Sequence, residues 1–222
     1  MDRFRDRTHA GQYLAEKLQK YAHKPKTIVL GLPRGGVVVA HEIAQKLGLP
    51  LDIFLVRKLG VPGYEELAMG AIASGGVRIM NQDVLRSISI SRDDIQAIAQ
   101  REEEELKRRE TAYRNNRPRL DLKNYTVILV DDGLATGATM RAAVVALRKH
   151  DPQKIIIAVP TASPDTCAEF QAKVDEIICG ITPSPFNAVG LWYDDFSQTS
   201  DEEVQQLLKK SYKANVSTES VQ

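Results

Sequence analysis

A chain of 222 residues, 43% hydrophobic and 27% charged, has ordinary globular composition and enough length for a sizeable buried core. Its 30 Lys and Arg against 29 Asp and Glu leave a formal charge of +1, which excludes the broad basic field that drives non-specific nucleic-acid binding. The longest apolar runs, Val127 to Val130 and Ile155 to Val159, are far too short to span a bilayer, and Met1-Asp-Arg-Phe-Arg-Asp-Arg7 has no apolar leader segment. Cys167 and Cys179 suggest neither a disulfide framework nor a metal pair and read as small buried hydrophobes. A cytoplasmic protein without nucleic-acid or membrane partners is the expectation.

In chain order, residues 8–22 predict an amphipathic helix with Tyr13, Leu14, Leu18 and Tyr21 on one face and Thr8 as its cap. Lys26 to Leu32 reads as a strand, Val37 to Leu47 as a helix, and Leu51 to Val56 as a second strand. Residues 57–80 hold a glycine-rich stretch and two short strand-like pieces, Leu67 to Ala73 and Val77 to Met80. Ser91-Arg-Asp-Asp94 is a near capping box opening a charged helix over 91–116. Its block Arg101 to Arg109 reads as a solvated face stitched by i,i+4 pairs. Thr126 to Val130, a helix to about Lys149, Lys154 to Val159, a helix from Pro164 to Ala172 and Val174 to Cys179 follow. The tail after Ser211 is polar and reads as frayed. His9, His23, His41 and His150 have no ligand-like spacing. Apolar runs without alternation are the mark of strands covered on both faces, and helices between them imply parallel crossovers. The fold class is α/β, an open parallel sheet flanked by helices.

Chemistry concentrates in Val127-Ile-Leu-Val-Asp-Asp-Gly-Leu-Ala-Thr-Gly-Ala-Thr139. This is a buried strand, two carboxylates at its carboxyl end, a turn of small residues and a helix start near Ala138. Ligands of open parallel sheets sit beyond the carboxyl ends of the strands. The turn sets backbone N–H groups and the hydroxyls of Thr136 and Thr139 at a helix N-terminus, where an anion is favoured. Gly133 and Gly137 permit close approach. A phosphate on the loop and hydroxyls or a metal at the aspartates describe a sugar phosphate.

This segment resembles the signature of the type I phosphoribosyltransferases: an apolar strand, two acidic residues and a Thr-Gly-x-Thr loop for 5-phosphoribosyl 1-pyrophosphate, PRPP. Five fixed residues at about 6% usage each recur by chance roughly once in a million positions. The resemblance implies that Asp131 and Asp132 hold the ribose hydroxyls, with Mg2+ mostly indirect through ribose or water. It implies that Ala135, Thr136, Gly137, Ala138 and Thr139 cradle the 5′-phosphate. Gly31-Leu-Pro-Arg-Gly-Gly36 stands where the family has its pyrophosphate turn, which assigns Arg34, Gly35 and Gly36 to pyrophosphate. Arg57-Lys58 resembles the Arg-Lys pair with which adenine-type relatives contact PRPP phosphates. Leu59 to Leu67 has the position and Gly/Pro content of the mobile catalytic loop, so that Glu65 or Glu66 is either a general acid or loop-closure contact, or merely solvated.

The resemblance covers about residues 25–180 of a single domain, 1–222, with the helix 8–22 before the core and the helical insertion 91–116 within it. The hood that selects the acceptor base in this family is expected at about 181–212. Phe186, Trp192 and Tyr193 are the acceptor-stacking candidates, the alternative being that they pack the hood onto the core. The implied activity is Mg-dependent transfer of phosphoribose to a nucleobase-like acceptor with release of pyrophosphate; a homodimer is a family expectation. Ala135 stands where 6-oxopurine relatives carry Asp, which weakens that substrate class without choosing another, and the loop is closest to the adenine type. Ala138 replaces a common Gly, and the charged helix is no part of the minimal adenine-type pattern. The competing expectation is a non-catalytic PRPP- or nucleotide-binding regulator on the same fold; a PRPP-synthesising kinase is the more remote third.

Overall fold

The computed structural model describes residues 3–88, 90–115, 117 and 121–219, the side chains of residues 65, 66 and 214–219 excepted. Its centre is a five-stranded parallel sheet of β1 (Thr27–Gly31), β2 (Leu51–Ile53), β6 (Thr126–Val130), β7 (Lys154–Thr161) and β8 (Glu176–Ile181), in the order β2-β1-β6-β7-β8. Beside it β3 (Val56–Val61), β4 (Tyr64–Ala73) and β5 (Val77–Met80) form an antiparallel sheet. The seven α-helices among the described residues are α1 (Arg7–Lys17), α2 (Gly35–Leu47), α3 (Gln82–Ser87), α4 (Arg92–Arg114), α5 (Ala138–Arg148), α6 (Pro164–Gln171) and α7 (Asp201–Glu219).

The apolar runs behave as their composition requires. Ile128 and Val130 of β6 face a cluster shared with Leu14, Ile43, Leu106 and Leu208, while Val127 and Leu129 face one shared with Met140, Leu147 and Phe170. The central strand is therefore covered on both faces. Each such aliphatic burial contributes about 1.5–3 kcal/mol, which makes β6 a rigid base for whatever stands at its carboxyl end. The strand order also reverses here: the chain goes from β1 outward to β2, then back across to β6. A doubly wound sheet opens its ligand crevice at that reversal.

Several elements differ from the sequence expectations. Helix α1 starts a residue earlier than expected, because the Asp6 carboxylate accepts the His9 N–H at 2.7 Å and caps it in place of Thr8. The segment expected as a mobile loop is the β3–β4 hairpin, its tip turned by Pro62-Gly63 with Gly63 at φ 77°. The tail does not fray at Ser211; α7 continues to Glu219. Ser200 caps it, accepting the Glu203 N–H at 3.1 Å, and Val204 and Leu208 pack into the core. The charged helix is only partly a solvated face. Lys107–Glu103 and Arg109–Glu105 are i,i+4 pairs, yet Glu102, Glu110 and Arg114 are buried. Cys167 and Cys179 are bonded to each other, joining α6 to β8, rather than packing as separate thiols.

Candidate active site

The β1–α2 turn and the end of β6 meet at the reversal point. A Cβ on Gly36 would lie 2.8 Å from the Val130 carbonyl oxygen and 2.9 Å from the Asp131 Cα; one on Gly35 would lie 1.9 Å from Asp132 Oδ2. Glycine alone permits that approach, and it brings the N-terminus of α2 against the two carboxylates. Arg34, at the N-cap of α2, is exposed, with its guanidinium 3.9 Å from Asp201 of α7. The Asp131 carboxylate accepts the Asp132 N–H at 2.9 Å. Burial, and then the neighbouring charge of Asp132, push the Asp131 carboxyl well above the usual carboxylate range. Burial also raises Asp132, against the opposing charge of Arg7.

Residues Ala135, Thr136, Ala138 and Thr139 are exposed around a buried Gly137, which caps α5 at φ 72°. The carbonyls of this loop are tied back. Ala135 accepts the Thr166 hydroxyl at 2.7 Å, and Thr136 accepts the Arg141 guanidinium at 2.7 Å. Arg141 is itself held by Glu169 at 2.9 and 3.0 Å. With these carbonyls engaged behind, the first N–H groups of α5, which have no intrahelical acceptors, are available to an anion beside the Thr136 and Thr139 side chains.

The β3–β4 hairpin comes to the same place from the side. Lys58 is exposed and lines a 480 Å3 cavity with Thr139 and Arg141, and a second cavity of 640 Å3 with Arg57, Arg101 and Thr139. Arg57 is paired with Glu102 of α4, its Nε donating at 2.8 Å. The Glu65 side chain lies outside the described residues.

Above the carboxylates, residues 186–196 fold back over the sheet. The extended segment around Phe4 pairs with Tyr193, and a Cβ on Gly133 would meet Val189 at 2.2 Å. Tyr193 is buried between Phe4 and Phe196, and its hydroxyl donates to the Asp132 carbonyl at 2.6 Å. Burial raises that phenol further from ionisation. Phe186 and Trp192 stack on each other with centroids 6.4 Å apart, and the Trp192 indole Nε1 is buried without a hydrogen-bond partner. Sequence reasoning missed Arg7, Glu102, Arg141 and Thr166. Arg7, Glu102 and Thr166 act across long separations, and Arg141, five residues from Thr136, is anchored by the distant Glu169.

The parallel sheet with its flanking helices has the phosphoribosyltransferase fold. The phosphoribosyl transferase domain model matches residues 63–195, and the chain belongs to that family, the type I phosphoribosyltransferases. It is 44% identical over 213 residues, 96% of its own length, to Rv0571c of Mycobacterium tuberculosis, provisionally named a phosphoribosyl transferase. It covers 48% of that protein, so the chain spans about half the length of the curated relative it matches. The crystal structure of TT1426 from Thermus thermophilus superposes with TM-score 0.82 at 42% identity, covering 94% of this chain and 98% of that one. The bifunctional protein PyrR of Chloroflexus aurantiacus is 37% identical over 131 residues, 57% of this chain and 65% of its own.

Proposed function

We propose that the chain transfers the 5-phosphoribosyl group of PRPP to a ring nitrogen of a nucleobase-like acceptor, releasing pyrophosphate. The observation that carries this is the joining of three pieces at one strand reversal: the glycine turn against Asp131 and Asp132, the carboxylate pair itself, and the N-terminus of α5. Asp131 and Asp132 accept the ribose 2′- and 3′-hydroxyls. The N–H groups and hydroxyls of Ala135 to Thr139 receive the 5′-phosphate. The N-terminus of α2, with Arg34, Gly35 and Gly36, receives the pyrophosphate, and Arg57 and Lys58 add positive charge as the bond to C1 breaks. The β3–β4 hairpin, with Glu65 near its tip, excludes water from the oxocarbenium-like carbon. Phe186 and Trp192 are the acceptor-stacking residues, whereas Tyr193 is spent on packing and on the Asp132 carbonyl.

Two adjacent carboxylates suit magnesium, which commonly takes one or two carboxylates and completes its shell with substrate oxygens and water. Among the described residues no group of three or more His, Cys, Asp or Glu is placed to hold a metal ion. When bound, magnesium supplies charge neutralisation on the pyrophosphate leaving group. A cytoplasmic setting, a paired assembly of two copies and a single domain with its hood at about 181–212 belong to the same proposal. No described helix is long and apolar enough to cross a membrane.

The experiment is a pyrophosphate-release assay with PRPP, magnesium and a panel of purine and pyrimidine bases. Release with one base identifies the acceptor. PRPP binding without release for any base contradicts the transferase and favours a regulator that binds PRPP.

A further inference from the structure

Arg7, in the first turn of α1, lies 125 residues from Asp132 in sequence and touches it in space. Its Nε and Nη2 both lie 2.8 Å from Asp132 Oδ2. Its Nη1 donates to the Ser197 carbonyl at 2.7 Å, and its guanidinium lies 4.0 Å over the Phe196 ring. The side chain is 11% exposed. A Cβ on Gly35 would stand 2.7 Å from its Nε, so the guanidinium is wedged between the glycine turn and the carboxylate pair. Every nitrogen of the fork is engaged, and both contacts on Asp132 fall on one oxygen.

We infer that Arg7 is the positioning residue of the ribose site: its fork pins Oδ2 of Asp132 so that Oδ1 is presented to a sugar hydroxyl. Held in turn by Phe196 and Ser197, it joins α1 to the segment before α7 at that carboxylate. The inference rests on the PRPP assignment above. Arg7 acts through Asp132, because its N–H groups are directed at Asp132 and Ser197 rather than into the phosphate subsites. Three contacts from separate directions leave the fork one orientation, which a flexible ammonium cannot reproduce.

The test compares Arg7→Met, which keeps the stem over Phe196 but removes the fork, with Arg7→Lys, which keeps the charge. Calorimetric titrations with Mg-PRPP and with Mg-pyrophosphate are run on wild type, both variants, Asp132→Asn and the Arg7→Met/Asp132→Asn double variant. Losing a charge-assisted pair of this kind is expected to weaken PRPP binding about ten- to hundredfold. Pyrophosphate, which offers no hydroxyl to Asp132, should change by less than about twofold, and Arg7→Lys should restore PRPP binding in part. In the Asp132→Asn background the Arg7→Met loss should largely vanish, because both changes remove one interaction. If Arg7→Met does not fold, Arg7→Lys decides: wild-type PRPP affinity there overturns the inference. Equal weakening of PRPP and pyrophosphate, or full additivity with Asp132→Asn, overturns it too, since both mark general loosening. Wild-type protein that binds no PRPP removes the site assignment and the inference together. Wild-type binding with Arg7→Met unaffected removes the inference alone.

Discussion

Gly36→Ala sets local propensity against the close approach on which the site depends. Considered as a helix residue, Gly36 is a poor choice, and alanine gains up to about 1 kcal/mol in a helix interior and less in the first turn. The structure predicts the opposite sign. The added Cβ would meet the Val130 carbonyl oxygen at 2.8 Å, the Asp131 Cα at 2.9 Å and Asp131 Oδ1 at 3.1 Å. Carbon contacts are comfortable at about 3.5–4.0 Å, so relief needs a displacement of roughly 0.6–1 Å. Two of the three obstacles are backbone atoms at the end of β6, which pairs with β1 on one side and β7 on the other. The turn must therefore yield. Overpacking costs about 1–3 kcal/mol, which outweighs the propensity gain and leaves a net loss of about 1–2 kcal/mol. For a chain of this size that lowers the melting temperature by about 2–8 °C. If the turn holds pyrophosphate as proposed, a 1 Å shift there also costs about a hundredfold in PRPP-dependent turnover. Scanning calorimetry and pyrophosphate release measure the two effects on the same sample. A melting temperature raised by the alanine, with PRPP turnover unchanged, would refute the reasoning.

Three further outcomes are expected. Asp131 is held above its ordinary value, so its ionisation destabilises the fold, increasingly as pH rises from about 4 through the raised value. Asp131→Asn should therefore melt higher than wild type at pH 7, an advantage that shrinks toward pH 4, while binding PRPP more weakly; a lower melting temperature at pH 7 would contradict the carboxylate's environment. Trp192→Ala should weaken acceptor use more than PRPP binding, and equal effects in initial-rate kinetics would remove residues 186–192 from the acceptor site. The Cys167–Cys179 bond closes a short loop with a sequence separation of 12, and the chain-entropy model assigns about 3 kcal/mol to such a loop. Reduction, or Cys167→Ser with Cys179→Ser, should lower the melting temperature by about 6–12 °C. It should also loosen α6, which carries Thr166 and Phe170 behind Ala135 and Gly137. Identical melting with and without reductant would show that the bond contributes nothing in solution.

How much is legible in the sequence follows from how local each feature is. Strands buried on both faces are continuous apolar words, so Thr126 to Val130 can be bounded to the residue. The carboxylate pair and the proposed phosphate loop occupy nine consecutive residues, and such a contiguous motif can be recognised without knowing the fold. Helix α7 is hard to foresee because its buried apolar positions, Val204 and Leu208, are sparse among polar residues; only the Ser200–Glu203 cap announces it. The hairpin is obscured by Gly60, Pro62 and Gly63, whose loop character masks a register that sets Lys58 opposite Ala71. Arg7 and Glu102 carry no local signal. One joins Asp132 across 125 residues and the other joins Arg57 across 45, and only the folded topology makes them neighbours. The cysteine pair misleads for the same reason. A separation of 12 residues implies nothing until α6 is laid against β8.

The most direct test of the central claim is a calorimetric titration of the wild-type chain with PRPP in the presence of magnesium, repeated on Asp132→Asn. A site assembled from the glycine turn, the carboxylates and the α5 N-terminus predicts saturable binding of one PRPP per chain, weakened at least tenfold in the variant. No saturable heat from the wild type, or identical binding by the variant, would contradict it.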